Sequence, residues 1–137
     1  MSFYHFSLTE IIIPNGVTTV GKYAFYNCAS LTNIIIPDSV TTIGDGAFYN
    51  CASLTNIIIP ENVTAIGTSA FYGCVGLTKV ILPHNIVIGE NAFNECTSLT
   101  DVYFTGTEEQ WNAISMGLDN ECLLNATIHF DYVPDVE

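Results

Sequence analysis

The chain has 137 residues, 49% of them hydrophobic and 12% charged, and its 14 acidic and 2 basic side chains give a formal net charge of −12. This composition predicts a folded domain that buries its own core, and it excludes a disordered acidic tail. Two cations cannot offset fourteen carboxylates, so polyphosphate ligands are disfavoured and a nucleic-acid duplex would be repelled.

The start of the chain carries no recognisable targeting signal. Met1 to Phe6 lack the charged start and the apolar run of a signal peptide. Farther along, Asn, Thr, Pro or Gly interrupts each apolar run before the roughly 18 residues that a membrane span requires. We therefore expect neither an export signal within this sequence nor membrane insertion.

The first residues imitate the end of a unit that recurs later. Phe3-Tyr4-His5-Phe6-Ser7-Leu8 matches F-Y-N-C-A-S-L with one residue missing, so the chain is expected to begin in mid-repeat. Two interpretations remain open. The chain derives from a longer array, or Phe3, Tyr4 and Phe6 form an improvised N-terminal cap.

A repeat of about 23 residues dominates the sequence from Leu8 onward. The unit is L-T-x-I-I-I-P-x-x-V-T-x-I-G-x-x-A-F-Y-x-C-x-x, and its first leucine recurs at spacings of 23, 23, 23 and 22 residues. A proline, a glycine, an Ala-Phe pair and a cysteine keep the same register: Pro14, Pro37, Pro60 and Pro83; Gly21, Gly44, Gly67 and Gly89; residues 24–25, 47–48, 70–71 and 92–93; Cys28, Cys51, Cys74 and Cys96. So short a unit cannot bury its own apolar face, and neighbouring copies must stack into a solenoid.

Each unit predicts three short elements. L-T-N-I-I-I is β-branched, ends at proline and is typical of a strand that pairs in parallel with adjacent copies. V-T-T-I-G predicts a second strand on the opposite wall, ended by a glycine that turns the chain through a positive φ. A-F-Y-N-C predicts one helical or 3₁₀ turn that places Phe and Cys in the interior.

Strand alternation predicts one outward row of side chains along the first wall. If Ile34 and Ile36 point inward, Ile35 points outward, and its counterparts in the other copies do the same. We call this row the stripe: Ile12, Ile35, Ile58, Ile81, Tyr103 and His129. Its members would be about 4.8 Å apart. An apolar row of this kind suggests a protein partner or self-association, although β-branched residues also favour sheet surfaces without any ligand.

The fourth unit is one residue shorter than the others. Between Pro83 and Gly89, I-V-I-G replaces V-T-T-I-G. The sequence predicts a local kink or altered twist on the second wall at this point.

After Phe104 the repeat pattern stops and a cap is predicted. Thr107 to Gln110 matches a capping box, which predicts a helix with Trp111, Ile114 and Leu118 on one face and Gly117 as its terminator. Residues 126–130 resemble one further strand, with His129 outward. The predicted organisation is one domain, with repeats over residues 1–104 and an acidic cap over residues 105–137 that plugs the core with Trp111.

Two further rows follow from the repeat. Tyr26, Tyr49 and Tyr72 form a secondary aromatic row, which could stack on sugar rings but more often covers the edge of a core. The recurring cysteines have no C-x-x-C spacing, so buried free thiols are favoured over zinc or disulfides. The exposure of the fifth cysteine, Cys122, is left open.

Catalysis and cofactors find no support in the sequence. His5, His84 and His129 lie in separate copies without a nucleophile at a recognisable spacing, and no phosphate-binding glycine loop occurs. The acidic C-terminal region contains no EF-hand pattern, so solvation is favoured over calcium binding. We expect no enzyme activity, no cofactor and no metal site.

The repeat unit closely resembles the BspA-like leucine-rich repeat of the Treponema type. The likeness covers roughly residues 3–104, and Y-F-T-G-T-E-E-Q-W-N-A-I resembles an ending common in members from gut bacteria. The resemblance implies a right-handed superhelix of short parallel strands in a protein of the bacterial cell surface or a secreted protein. It also implies a protein ligand, such as a host matrix or cell-surface protein.

The expected function is that of a protein-interaction module within a bacterial adhesion protein. The alternative is structural: a spacer, or a self-associating repeat unit without a ligand of its own.

Overall fold

A computed structural model describes residues 8–134, which form a mainly β solenoid of about five turns, as predicted. The possible cap of Phe3, Tyr4 and Phe6 and the mid-repeat start lie outside the described residues. The elements in chain order are β1 (Glu10–Ile12), β2 (Thr19–Val20), β3 (Asn33–Ile35), β4 (Thr42–Ile43), β5 (Asn56–Ile58), β6 (Ala65–Ile66), β7 (Lys79–Leu82), β8 (Val87–Ile88), β9 (Asp101–Phe104), α1 (Glu108–Asn112), β10 (Ser115–Met116), α2 (Glu121–Leu124) and β11 (Thr127–His129).

The first wall consists of parallel strands in repeat register. β1 pairs with β3, and β5, β7, β9 and β11 form a four-stranded sheet. Glu10 is opposite Asn33, Asn56 is opposite Lys79, and Asp101 is opposite Thr127. Stacked units thus place equivalent residues in columns along the solenoid axis.

The second wall is a continuous sheet in the order β10-β8-β6-β4-β2, and its V-T-T-I strands are confirmed. The missing residue of the fourth unit shifts the pairing from 23 to 22 residues, with Val87 opposite Ala65. Ile86 and Ile88 are both buried with exposed Val87 between them, whereas Val63 and Ile66 lie three residues apart. In the shortened segment, buried and exposed residues alternate strictly, so its two isoleucines still reach the core and the ladder of strands is unbroken. The altered twist stays a prediction.

The third side is built from the A-F-Y-x-C segments, which form single turns as predicted. Within a turn, the Ala47 amide donates to Gly44 and the Cys51 amide donates to Phe48. Between these, the Phe48 amide donates to the Ala70 carbonyl of the next turn, at 2.7 Å. Alternate amides therefore close the turn or join it to its neighbour, which satisfies the buried backbone.

The core is a column of stacked rings bordered by aliphatic side chains. Phe25, Phe48, Phe71 and Phe93 have consecutive centroid separations of 5.3, 5.1 and 5.1 Å. Phe48, Phe71 and Phe93 are completely inaccessible to solvent. Each turn contributes an equivalent ring, so the core continues through the array instead of closing within one unit.

The recurring glycines do not serve the purpose predicted for them. Gly44, Gly67 and Gly89 are absent from the described residues with positive φ, and the left-handed positions are others, such as Tyr23, Asn50 and Ser69. A Cβ added at Gly89 would lie 2.8 Å from the backbone of Gly67 and of Thr68. Glycine is required because successive turns pass very close together at this corner.

The cap differs in detail from the prediction. The Thr107–Gln110 capping box is present, but α1 ends at Asn112. Gly117 is not a helix terminator: its amide donates to Ile88 at 2.8 Å, and it continues the column of corner glycines. Leu118 lies beyond the helix and is exposed. β10 therefore adds a rung to the second wall, a strand that the sequence did not suggest.

The predicted final strand and the tryptophan plug are confirmed. β11 pairs with β9 and places His129 beside Tyr103 on the outward face. Trp111 packs against the core, with its ring 5.1 Å from that of Phe104 in an edge-on arrangement. The cap thereby extends both walls beyond residue 104; the division at that residue stays a prediction.

Candidate binding surface

The stripe is a column on the outer face of the first wall. Ile12, Ile35 and Ile58 are 66%, 48% and 55% exposed, whereas the neighbouring Ile34 and Ile57 are buried. The alternation of the pleat therefore divides each Ile-Ile pair between core and solvent, as expected. Three aliphatic side chains in consecutive turns form an exposed apolar row.

Ile81 is the exception, since it is only 9% exposed. It occupies the stripe register opposite Ile58 and Tyr103, but it shares a cleft with Pro134 of the C-terminal tail. The prediction of an exposed Ile81 is wrong because the tail folds back over this part of the wall. Covering about half of an isoleucine side chain in this way contributes on the order of 1 kcal/mol.

The C-terminal end of the stripe is aromatic and polar. The His129 ring stacks on that of Tyr103, with centroids 4.4 Å apart and planes at 8°. His129 Nε2 lies 2.8 Å from Asp101 Oδ1, and Lys79 Nζ is 5.5 Å from the Tyr103 ring centroid. Hydrogen bonds from His129 and from Thr100 hold the pKa of the Asp101 carboxyl below its usual value. Tyr103 and His129 are both half-buried, so this end is partly covered by its own contacts.

A polar column runs beside the stripe, one pleat away. Its members are Glu10, Asn33, Asn56, Lys79, Asp101 and Thr127. The side-chain amide of Asn33 donates to the Glu10 carboxylate at 3.1 Å. The hydroxyls of Thr32 and Thr78 donate to the backbone carbonyls of Thr9 and Thr55 in the preceding turn. These bonds fix the border of the stripe before any ligand arrives.

The tyrosine row uses its ring faces internally. Tyr49 stacks on Tyr26 and Tyr72 with centroids 5.2 and 4.8 Å apart and planes at 28° and 15°. Because both faces of the central ring are covered, only ring edges and hydroxyls remain for a ligand. Partial burial and the neighbouring tyrosines raise the pKa of the Tyr49 hydroxyl. Sugar stacking on this row stays a prediction, and the geometry does not favour it.

All five thiols are free, and four of them are buried. The Sγ atoms of Cys51, Cys74 and Cys96 donate to backbone carbonyls of the preceding turns at 3.1–3.2 Å. Burial raises the pKa of the Cys51 thiol to about 12. Cys122 is half-buried at the end of the same column. Within residues 8–134 no cluster of three or more His, Cys, Asp or Glu side chains is arranged to hold a metal ion.

Sequence reasoning missed two features, one beside this surface and one at the end of the third side. One is the tail, residues 131–134, whose position depends on contacts with residues 103–106 and on the cleft that contains Ile81. The other is Asn120, which is 1% exposed and ends the third-side ladder. The sequence did contain a signal for it: Gly117 and Asn120 have the same three-residue spacing as Gly89 and Ala92, which places Asn120 at the alanine position of a further turn.

The two lysines differ in their distance from the stripe. Lys22 lies 4.0 Å from Asp45, and Lys79 borders Tyr103. Asp38 and Glu61 line the cleft beside Ile58. The exposed isoleucines therefore lie among neutral and acidic groups, with Lys79 as the cation of the bordering polar column. No described helix is long or apolar enough to cross a membrane.

Solved structures with the same fold come from several bacteria. A leucine rich cell surface protein from Faecalibacterium prausnitzii is 32% identical, with a TM-score of 0.68, over 77% of this chain and 34% of that one. A leucine-rich repeat protein from Bacteroides ovatus is 32% identical, with a TM-score of 0.71, over 90% of this chain and 30% of that one. This chain thus spans about a third of the length of either relative.

A more distant relative shows the fold alone. The T. pallidum leucine rich repeat protein is 23% identical, with a TM-score of 0.59, over 92% of this chain and 78% of that one. No curated protein shows significant similarity to the chain.

The family model for the BspA type leucine rich repeat region matches residues 1–115 in six copies. The chain therefore belongs to the BspA-type leucine-rich repeat family.

Proposed function

We propose that the chain is a protein-interaction module of a bacterial cell-surface or secreted adhesion protein, with its contact face on the first wall. The observation that carries this proposal is the row of Ile12, Ile35 and Ile58, each about half exposed or more on the strands of the first wall. Large apolar side chains aligned in consecutive turns are a costly surface to leave in water and fit a partner's apolar side chains.

The surroundings of the stripe support the same interpretation. A bonded border of Asn and Thr side chains supplies polar rim contacts around an apolar centre, which is the usual anatomy of an interface. The relative from F. prausnitzii is described as a cell surface protein, which supports that location. The repeat fold, which builds one extended contact surface from stacked turns, supports a binding role.

The test is capture of partners from host extracellular-matrix and bacterial-surface extracts. The variant Ile35→Glu/Ile58→Glu is expected to lose the captured protein, with affinity reduced at least about tenfold, because two charges would be buried in the contact. The control Thr41→Glu/Thr64→Glu adds the same charges to the same two turns on the opposite wall and should bind like the parent chain. Equal binding by the stripe variant would contradict the proposal.

Self-association is the second candidate, and one observation favours it. An apolar cleft lined by Ile11, Ile13, Val17, Val20 and Phe25 lies at the N-terminal end of the described residues. Light scattering over a concentration series separates the two roles. A monomer at all concentrations supports a module that binds other proteins, whereas growing mass would support a self-assembling repeat.

A further inference from the structure

The C-terminal tail occupies part of the stripe in an extended form. The chain turns back at Asp131, whose φ is 55°, and the amides of Asp131 and Tyr132 donate to Gly106 and Phe104. Tyr132 then packs against Tyr103, with ring centroids 5.1 Å apart. Pro134 reaches the cleft lined by Ile58 and Ile81. The tail therefore follows the stripe from turn to turn, across the strands.

The tail contacts the wall with alternate side chains. Tyr132 and Pro134 are half-buried, whereas Val133 between them is 79% exposed. This period of two is that of an extended peptide lying on a surface. Two residues of extended chain span about 7 Å. This length is more than the one strand spacing of about 4.8 Å from Tyr103 to Ile81 and less than the two spacings from Tyr103 to Ile58. The stripe thus already holds an extended segment with an aromatic residue and a proline two positions later.

The cleft that receives the end of the described tail is lined by acidic side chains. The tail sequence from 131 to 137 has three acidic side chains and no basic one. The cleft that receives Pro134 is lined by Asp38 and Glu61, and His84 Nδ1 lies 3.6 Å from Glu61 Oε1. Val133 and Pro134 make no backbone hydrogen bond to another described residue. Covalent connection holds the tail here by keeping its local concentration high.

We propose that the stripe binds an extended, basic or uncharged partner segment that carries an aromatic residue and a proline two positions later, and that the tail competes with this segment for the Ile58–Ile81 cleft. This inference rests on the proposed function of the stripe and names the chemistry of its partner. A basic partner segment gains the same apolar contacts and adds attraction to Asp38 and Glu61, whereas an uncharged segment gains the apolar contacts alone. Its binding displaces Tyr132 and Pro134 and exposes Ile81 to the ligand.

The test uses two labelled heptapeptides and the full chain. One peptide has the sequence of residues 131–137, and the other has its three acidic residues replaced by lysine. Fluorescence anisotropy is expected to show saturable binding of the lysine peptide and binding of the acidic peptide at least about tenfold weaker. The variant Tyr132→Ser/Pro134→Ser should bind the lysine peptide about tenfold more tightly than the parent chain, because its own tail no longer competes.

A matched pair of variants separates apolar recognition from general attraction to an acidic protein. Ile58→Asn should weaken the lysine peptide about tenfold, whereas Val87→Asn, an equally exposed apolar position on the second wall, should leave its affinity unchanged. The inference would be overturned if Ile58→Asn and Val87→Asn bound the lysine peptide equally well. It would also be overturned if the parent chain and the tail variant bound it equally well, or if no binding occurred at about 1 mM peptide.

The outcome also distinguishes this inference from the proposed function. Partner capture that depends on Ile35 and Ile58, without peptide binding, would keep the interaction module and reject the extended segment as its ligand. Peptide binding without a captured partner would support the stripe as a peptide-binding surface and would show that none of the extracellular proteins tested supplies the bound segment.

Discussion

Cys51 illustrates how one repeated residue is fixed by its place in the stack. It is inaccessible to solvent, its Sγ donates to the Phe25 carbonyl at 3.2 Å, and burial raises its pKa to about 12. Cys74 has the same arrangement one turn later, bonded to Phe48. A small side chain that fills the interior and satisfies one carbonyl suits this position better than any larger apolar residue.

The raised pKa makes stability depend on alkaline pH. The folded chain keeps the Cys51 proton up to about pH 12, whereas the unfolded thiol loses it near pH 9, so stability is complete below pH 9 and falls as pH rises toward 12. Each thiol of this kind lowers the free energy of unfolding by about 1.4 kcal/mol per pH unit in that range. Urea unfolding at several pH values should show a shallower decline for Cys51→Ala than for the parent chain.

Tyrosine ionisation is common to both proteins and cancels in that comparison. Identical slopes for Cys51→Ala and the parent between pH 9 and 11 would show that the thiol is not protected in the folded state.

At the scale of elements, the cap ends the solenoid with one buried amide side chain. Asn120 Oδ1 accepts the Phe93 amide at 2.9 Å, in the place where an alanine carbonyl of a further turn would accept it. Its Nδ2 donates to the carbonyls of Gly89 and Gly117, both at 3.0 Å. One side chain thereby satisfies the Phe93 amide, which the next repeat would otherwise satisfy, and gives a second donor to the Gly89 carbonyl, which also accepts the Ala92 amide.

Replacing Asn120 should therefore destabilise the cap first. Asn120→Ala leaves the buried Phe93 amide without an acceptor and removes one donor from each of two carbonyls, at a cost of about 1–3 kcal/mol. Asn120→Asp retains the acceptor but turns a donor into a second acceptor facing two carbonyls, and it should also destabilise the chain. Urea unfolding and amide hydrogen exchange at Phe93 measure the effect, with exposed Asn112→Ala as the control.

Exchange at Phe93 that is unchanged in Asn120→Ala would mean that another group ends the ladder.

Elements that depend on the repeat were predictable, and those that depend on distant contacts were not. The two walls, the buried Phe and Cys columns and the outward position of Ile35 follow from local alternation in each unit. The glycines were assigned the wrong role because a turn through positive φ and a close approach between turns leave the same residue in the sequence. The burial of Ile81 required the tail, whose contact spans about fifty residues and leaves no periodic pattern.

At the scale of the whole molecule, charge and apolar surface are segregated. Residues 90–137 carry ten acidic side chains and no lysine or arginine, whereas residues 1–89 carry four acidic side chains and two lysines. The turns that present Ile12, Ile35 and Ile58 are therefore close to neutral. The acidic end favours basic partners at long range, and the apolar stripe determines contact at short range.

We expect partners to bind at the exposed part of the stripe. Methyl NMR of the isoleucine δ1 groups during titration with a captured partner tests this residue by residue. We predict that the signals of Ile12, Ile35 and Ile58 shift or broaden, while those of the buried second-wall residues Ile43 and Ile66 stay unchanged. Saturating partner that leaves the three stripe methyls unaffected would contradict the account.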